Sequence, residues 1–182
     1  TCEILENISE SVTRVHFSRI NSGKGAAIRI GLTYATGDII IIQDADLELD
    51  PNEYHLLLRP IIDKESSIVY GSRFMKFNKN ISKRTLWANK LLSSFTNLLY
   101  GSKLTDMETA YKAFQAEAIN SINLKCRRFE FEPEVTAKLL NKGYKIKEVP
   151  ISYNPRTIEE GKKIRWKDGF IAVYTLIKYR FR

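Results

Sequence analysis

Three acidic residues at alternate positions, Asp44, Asp46 and Glu48, follow almost directly on the isoleucine run Ile39 to Ile42. Carboxylates this close repel one another unless a cation neutralises them. An oxygen-only set suits Mg²⁺ or Mn²⁺, which keep part of their water and bind a diphosphate as well. The bland alternative is a polar turn with a helix cap, but a cap needs one acid and Asp50 supplies it. Upstream, Gly23-Lys24-Gly25 opens a helical pattern, where backbone N–H groups and an ammonium can meet a phosphate. It lacks the upstream glycine and the following Ser/Thr of a Walker A loop, and a simple glycine turn explains it equally well. His16 and His55 have no partner spacing, and no Ser/His/Asp or Cys/His nucleophile system is visible.

The basic residues are concentrated in two stretches. The chain has 182 residues and a formal charge of +8. Between Ser66 and Thr105 there are seven basic residues and no acid; between Arg156 and Arg182 there are eight basic and three acidic ones. The remainder is net acidic, so the chain reads as an acidic body with two basic segments. Such segments fit phosphate-rich partners: nucleic acid, an anionic membrane surface or a phosphorylated small molecule.

The elements that must position these residues alternate short β-branched runs with helical ones, which gives an α/β class. At 43% hydrophobic the chain can bury one core, which excludes disorder. No apolar run approaches the roughly 20 residues of a membrane span. The first residues have neither a signal-peptide nor a transit-peptide pattern, and Cys2 and Cys126 form no disulfide framework, so a reducing cytosol is expected. The patterns predict a helix up to Ser11, a strand over 13–18, a helix over 23–35 and a buried strand over 38–43. A helix follows from the Asp50 cap to about Asp63, then a strand over 67–71 and a helix over 84–100 with Trp87, Leu91, Phe95 and Leu98 on one face. A helix opened by Glu132 and closed by Gly143, a strand over 145–153 and an amphipathic tail from Trp166 complete the pattern. Acids at the carboxyl end of the isoleucine strand emerge where open α/β sheets bind ligands.

Together these segments resemble the family 2 glycosyltransferases with a GT-A fold, in the polyprenyl-phosphate (dolichol-phosphate mannose synthase-like) branch. The segment 23–29 (Gly-Lys-Gly-Ala-Ala-Ile-Arg) looks like a family motif, Asp44-Ala45-Asp46 looks like its DxD metal motif, and Glu48 stands where that branch has a further ligand. Gly71-Ser72-Arg73, the 105–112 segment beginning Thr-Asp-Met-Glu, Phe129-Glu130-Phe131-Glu132, Glu148-Val149-Pro150-Ile151 and the 159–169 tail follow in the family's order. The resemblance implies a three-layer α/β/α, Rossmann-like fold with a mainly parallel sheet. A partial catalytic domain covers 1–155, and 156–182 is its basic amphipathic C-terminal segment. The family's first strand-helix-strand unit has no counterpart, so an N-terminally truncated fragment is expected, with its missing strands between 13–18 and 38–43.

The implied activity is metal-dependent, inverting sugar transfer from a nucleotide-diphosphate sugar to a polyprenyl phosphate. Asp44, Asp46 and Glu48 would hold Mg²⁺ or Mn²⁺, and Lys24, Asp44, Ala45 and Asp46 would bind the donor. Arg73, Arg84, Arg156, Lys162 and Lys163 would hold the acceptor phosphate, since Arg binds phosphate through paired N–H groups. A lipid phosphate arrives ionised and needs no strong base. If the acceptor is a glycan hydroxyl, Asp106 becomes the catalytic base beside Asp46, although a cap at a turn is the competing role. The two apolar faces beside basic residues would lie on the cytosolic face of a membrane, unless they pack on the domain core. A non-catalytic basic module that binds membrane or nucleic acid is the remaining alternative. It leaves the acidic cluster unexplained, and no nucleic-acid partner is expected.

Overall fold

The computed structural model describes residues 14–79, 81–156 and 166–181. In chain order the elements are α1 (Lys24–Tyr34), β1 (Ile39–Ile42), a 3₁₀ turn (Pro51–Glu53) leading into α2 (Tyr54–Ile62), β2 (Ile68–Ser72), α3 (Lys83–Tyr100), β3 (Lys112–Gln115), α4 (Ala116–Asn120), α5 (Phe131–Asn141), β4 (Lys147–Pro150) and α6 (Trp166–Arg180). The ends are set by local chemistry. The Asp50 side chain accepts from Asn52 N at the 3₁₀ turn, and Ser82 accepts from Thr85 N at the start of α3. Gly101 ends α3 in the left-handed conformation at φ 66°.

The four strands lie in the order β1-β3-β2-β4. β3 is antiparallel to β1 and β2, whereas β2 and β4 are parallel. Three strands therefore run one way, as a mainly parallel sheet requires, and β3 runs against them between β1 and β2. β3 has no signal in the hydrophobic pattern because Lys112 and Gln115 bracket only Ala113 and Phe114. The isoleucines of β1 alternate between the two faces of the sheet. Ile40 and Ile42 join Ile68, Tyr70, Phe114 and the α5 residues Phe131, Val135 and Leu139. Ile39 and Ile41 join Val69, Ala113 and the α2 residues Leu57 and Ile61. Helices thus cover both faces, which is the expected three-layer arrangement.

One predicted strand is not formed. Residues 14–18 pair with no strand among the described residues. They lean on α1, with the Arg14 guanidinium 4.6 Å from the Tyr34 ring and His16 beside the same ring. Without a neighbour to share a ladder, a β-branched pattern does not make a strand. The predicted helix up to Ser11 lies outside the described residues.

Helix α3 packs a mixed face inward, with Leu92, Phe95, Leu99 and Tyr100 against the core beside the polar Ser93 and Thr96. Ser93 and Thr96 are 2% and 0% exposed, while Trp87 and Leu98 are 66% and 81% exposed. The polar residues of this face hold the loop that follows. Ser93 Oγ accepts from Met107 N at 3.0 Å, and Asn97 Oδ1 accepts from Leu104 N at 2.8 Å. Thr96 turns its hydroxyl onto Leu92 O of its own helix. α6 packs against α3 and α5 through Leu176, with Leu104, Met107 and Ala137. The Tyr100 hydroxyl donates to Leu176 O at 2.6 Å. Phe170, Tyr174 and Phe181 of this region remain exposed.

Candidate active site

At the carboxyl end of β1 a cavity of about 280 Å³ is lined by Lys24, Asp44, Asp46, Glu48, Arg73, Glu108, Phe129, Glu132, Tyr153, Arg156 and Asp168, among others. A larger groove of about 860 Å³ runs along α1 and residues 14–22. Of these two cavities the smaller is the one lined by acids paired with cations, so the chemistry belongs there.

The acidic turn is built around Leu47, which is 86% exposed and takes a left-handed conformation at φ 61°. That conformation costs a non-glycine residue about 1 kcal/mol. Beyond it, Glu48 accepts from Tyr153 OH at 3.1 Å and from Arg156 N at 3.0 Å. The Arg156 guanidinium meets Asp46 at 2.7 Å and Glu48 at 3.3 Å. Asp44 instead meets Lys24 at 2.8 Å, and Lys24 also meets Glu132 at 2.7 Å. Burial alone would lower the Lys24 pKa, but Glu132 and Asp44 outweigh it and hold the ammonium above its ordinary value.

The three acids expected to hold a metal are paired with cations in this structure, Asp44 with Lys24 and both Asp46 and Glu48 with Arg156. Among the described residues no three carboxylate, imidazole or thiolate groups converge as a metal cluster. Mutual repulsion is relieved by two cationic side chains, Lys24 and Arg156. The donor chemistry still fits a hard divalent ion, because Mg²⁺ is usually bound by one or two carboxylates together with substrate phosphates.

Of the two readings of Gly23-Lys24-Gly25, the geometry favours the glycine turn over the phosphate cradle. The N–H groups of Gly25 and Ala26 donate to Arg128 O and Arg127 O, at 3.1 and 2.9 Å. A Cβ at Gly25 would stand 2.9 Å from Cys126 Sγ, and one at Gly23 2.5 Å from Arg127 O. These glycines therefore serve close docking of α1 on the 126–128 segment. Lys24 alone of the motif reaches the cavity with its charge.

Asp106 and Arg73 form one unit beneath and beside the cavity. Asp106 is fully buried, and its oxygens accept from Arg73 Nε at 2.7 Å, Nη2 at 2.6 Å and the Arg73 backbone N at 3.0 Å. A base must reach the proton it takes. Asp106 does not line the cavity, and its carboxylate is engaged by Arg73. Arg73 does line it, over the Tyr153 ring at 5.2 Å. Burial would lower the Arg73 pKa, but Asp106 overrides it and raises it. Arg156 is likewise at the cavity. Arg84 is exposed at the start of α3 and does not line it. Lys162 and Lys163 lie outside the described residues.

Sequence reasoning missed three groups here. Glu132 stood only in a resemblance motif, yet it is buried and shares Lys24 with Asp44. Glu108 lines the cavity, and its pKa is raised, first by burial and then by Glu132. Lys112 is fully buried, with its ammonium on Met107 O at 2.8 Å, Thr109 O at 2.6 Å and the Tyr70 ring face at 3.7 Å. Burial pulls its pKa down despite Glu132, Asp106 and Glu108 nearby. The spacing of Asp106, Glu108 and Lys112 was the one available signal, and the buried strand concealed it.

Comparison with known proteins agrees with this geometry. The family model described as glycosyl transferase family 2 matches residues 1–122. The chain is 30% identical over 167 residues to an uncharacterized protein of Methanocaldococcus jannaschii, covering 87% of this chain and 68% of that one. It is 26% identical over 155 residues to the polyprenol monophosphomannose synthase of Mycolicibacterium smegmatis, covering 80% and 58%. It is 27% identical over 133 residues to the undecaprenyl-phosphate mannosyltransferase of Micrococcus luteus, covering 69% and 53%. The chain thus spans little more than half the length of these two named transferases. Among solved structures, glucosyl-3-phosphoglycerate synthase from Mycobacterium tuberculosis superposes with a TM-score of 0.67 at 18% identity, covering 90% of this chain and 57% of that one. The same enzyme in complex with Mn²⁺, UDP-glucose and phosphoglyceric acid gives 0.65 at 18%, covering 87% and 55%. This likeness is one of fold, the GT-A arrangement of the sheet and its helices. With two thirds of its length matched by one family model, the chain belongs to glycosyl transferase family 2.

Proposed function

We propose that the protein transfers a sugar, with inversion, from a nucleotide-diphosphate sugar to a polyprenyl phosphate, on the cytosolic face of a membrane and with Mg²⁺ or Mn²⁺. The observation that carries this reading is the cavity in which the acidic turn faces Lys24, Arg73 and Arg156. Two phosphate-bearing substrates need such a mixture, since each anion must be brought up to the other. The acceptor phosphate oxygen attacks the anomeric carbon, the bond from that carbon to the diphosphate breaks, and the nucleoside diphosphate leaves with the electron pair. Arg73 and Arg156 offset the repulsion between the acceptor phosphate and the donor diphosphate. Lys24, with Asp44 and Ala45 beside it, faces the donor. A divalent ion held through Asp46, with Asp44 or Glu48, would stabilise the departing diphosphate as a Lewis acid.

The exposed Trp87, Leu91 and Leu98 of α3 and the exposed face of α6 support the membrane part of the reading. α6 reaches the cavity at Asp168 and exposes Phe170 two residues later. Lys83, Arg84 and Lys90 flank the apolar side of α3, and each basic residue near an anionic leaflet is worth about 1 kcal/mol. No helix among the described residues is long and apolar enough to cross a membrane. The names of the mycobacterial and micrococcal relatives support a polyprenyl-linked acceptor.

The test uses labelled nucleotide sugars, polyprenyl phosphate in anionic vesicles and Mn²⁺. Labelled glycolipid should form only with the divalent ion, and Asp46→Ala should weaken nucleotide binding. Unchanged nucleotide affinity in Asp46→Ala sinks the metal assignment. Transfer to soluble glycans with none to the lipid phosphate sinks the acceptor assignment.

A further inference from the structure

The segment between α3 and β3 carries two acids two residues apart with opposite fates. Asp106 turns down onto Arg73 and is sealed. Glu108 turns into the cavity, and among the described residues no donor meets its buried Oε1. A buried acceptor without a partner is destabilising unless something else requires it.

The backbone around Glu108 is held by three different elements. From α3, Ser93 Oγ accepts from Met107 N. From β4, the Glu148 carboxylate accepts from Thr105 N at 2.7 Å and Asp106 N at 2.9 Å. From β3, the Lys112 ammonium donates to Met107 O and Thr109 O, the carbonyls on either side of Glu108. The backbone is thus fixed while Oε1 of the carboxyl it carries has no partner among the described residues, which is the pattern of a preorganised binding group.

Charge decides what that carboxyl can receive. Glu108 shares its part of the cavity with Glu132, and Asp106 lies beneath, so a phosphate there would meet acids. The cations that can take phosphates are Lys24, Arg73 and Arg156. A neutral, hydroxyl-bearing group is the complementary ligand, because a hydroxyl both donates and accepts and suits a carboxyl in either protonation state. We infer that Glu108 is the sugar-selecting residue of this site, its free carboxyl oxygen bonding a hydroxyl of the glycosyl group being transferred, with Lys112 as its positioning residue. This rests on the nucleotide-sugar reading above. Its raised pKa accords with a carboxyl placed where charge is disfavoured.

Calorimetric titration with Mn²⁺ tests the inference, using GDP-mannose, UDP-glucose, GDP, UDP and a set of singly deoxygenated donors as probes. The wild-type protein should bind its matching nucleotide sugar more tightly than the corresponding nucleoside diphosphate. Glu108→Ala should leave nucleoside diphosphate affinity within about twofold and weaken nucleotide-sugar binding roughly tenfold, and the near-isosteric Glu108→Gln, whose amide can still bond a hydroxyl, should weaken it less. One deoxygenated donor should bind wild type poorly and bind Glu108→Ala no worse than the parent sugar does. An unchanged preference for the nucleotide sugar in Glu108→Ala overturns the inference. So does a wild-type protein indifferent to every deoxygenation, an arm that needs no folded variant. Failure of the wild-type protein to bind any of the nucleotides overturns the donor reading itself, and this inference with it.

Discussion

Around the cavity the chain buries charge, and across α3 and α6 it exposes hydrocarbon. Asp106 and Lys112 are sealed in the interior and Glu132 is buried at the cavity wall, while Trp87, Leu98, Phe170 and Tyr174 face outward. Buried ionic groups are retained only with partners, and here Arg73 serves Asp106 while Lys24 serves Asp44 and Glu132 together. Exposed apolar groups in a contiguous face mark an interaction surface. The two regions meet in α3, whose Ser93 and Asn97 hold the 104–107 loop while Trp87, Leu91 and Leu98 face out. The position of the site segment and the exposure of the apolar face are therefore consequences of one helix orientation.

Breaking the buried half of this contrast should have the largest effect. Arg73→Met leaves Asp106 charged and alone in the interior, which costs about 3–5 kcal/mol. Urea titration should record it, and Arg73→Met combined with Asp106→Leu should recover much of the loss. A single-variant loss below about 1 kcal/mol would mean that Asp106 finds another partner.

The exposed half should break differently. Trp87→Glu should leave the melting temperature nearly unchanged while weakening sedimentation with anionic vesicles by roughly 30-fold, as expected from losing about 2 kcal/mol of apolar burial. Vesicle binding equal to wild type would detach α3 from the membrane reading.

The joint between the halves should respond more modestly. Ser93→Ala removes the acceptor for Met107 N and should destabilise by about 1–2 kcal/mol, because a buried N–H is left unpaired. It should also lower nucleotide-sugar affinity, since the same loop carries Glu108. Stability loss without any change in binding would separate the loop from the site.

The smallest effect sharpens the contrast by pH. Glu108 has a pKa above the ordinary carboxylate value of 4.5, raised by burial and then by Glu132, against the opposing pull of Lys112 and Arg73. The native state then holds this proton more tightly than the unfolded chain. The associated stability is present below pH 4.5 and is lost as pH rises through the native pKa. Lys112, with its pKa lowered by burial, contributes with the opposite slope. The informative quantity is therefore the difference between Glu108→Gln and wild type. Gln should be more stable by about 1 kcal/mol near neutrality, with an advantage that shrinks towards acid pH in thermal melts. An advantage independent of pH would show that the carboxyl does not titrate in this window.

The sequence by itself determined what each local rule can decide. Four isoleucines before three acids make a strand that ends at the acidic turn, although the structure puts it at the sheet edge with only Ile42 of the four buried. Asp50, Ser82 and Gly101 set helix ends through hydrogen bonds to near neighbours or a left-handed turn. The family motifs, in order, identified the GT-A class. Tertiary structure alone decided the rest. β3 exists because its partners β1 and β2 flank it, despite a lysine at its start. Residues 14–18 form no strand because no partner lies beside them. The fate of Asp106 and Glu108, two similar acids two residues apart, was settled by Arg73 from one direction and Lys112 from another. Charges pair through space between residues 20 to 110 positions apart, as in Lys24–Asp44 and Arg156–Asp46. Periodicity along the chain carries no record of such pairings, because it reports only which side of its own element a residue occupies.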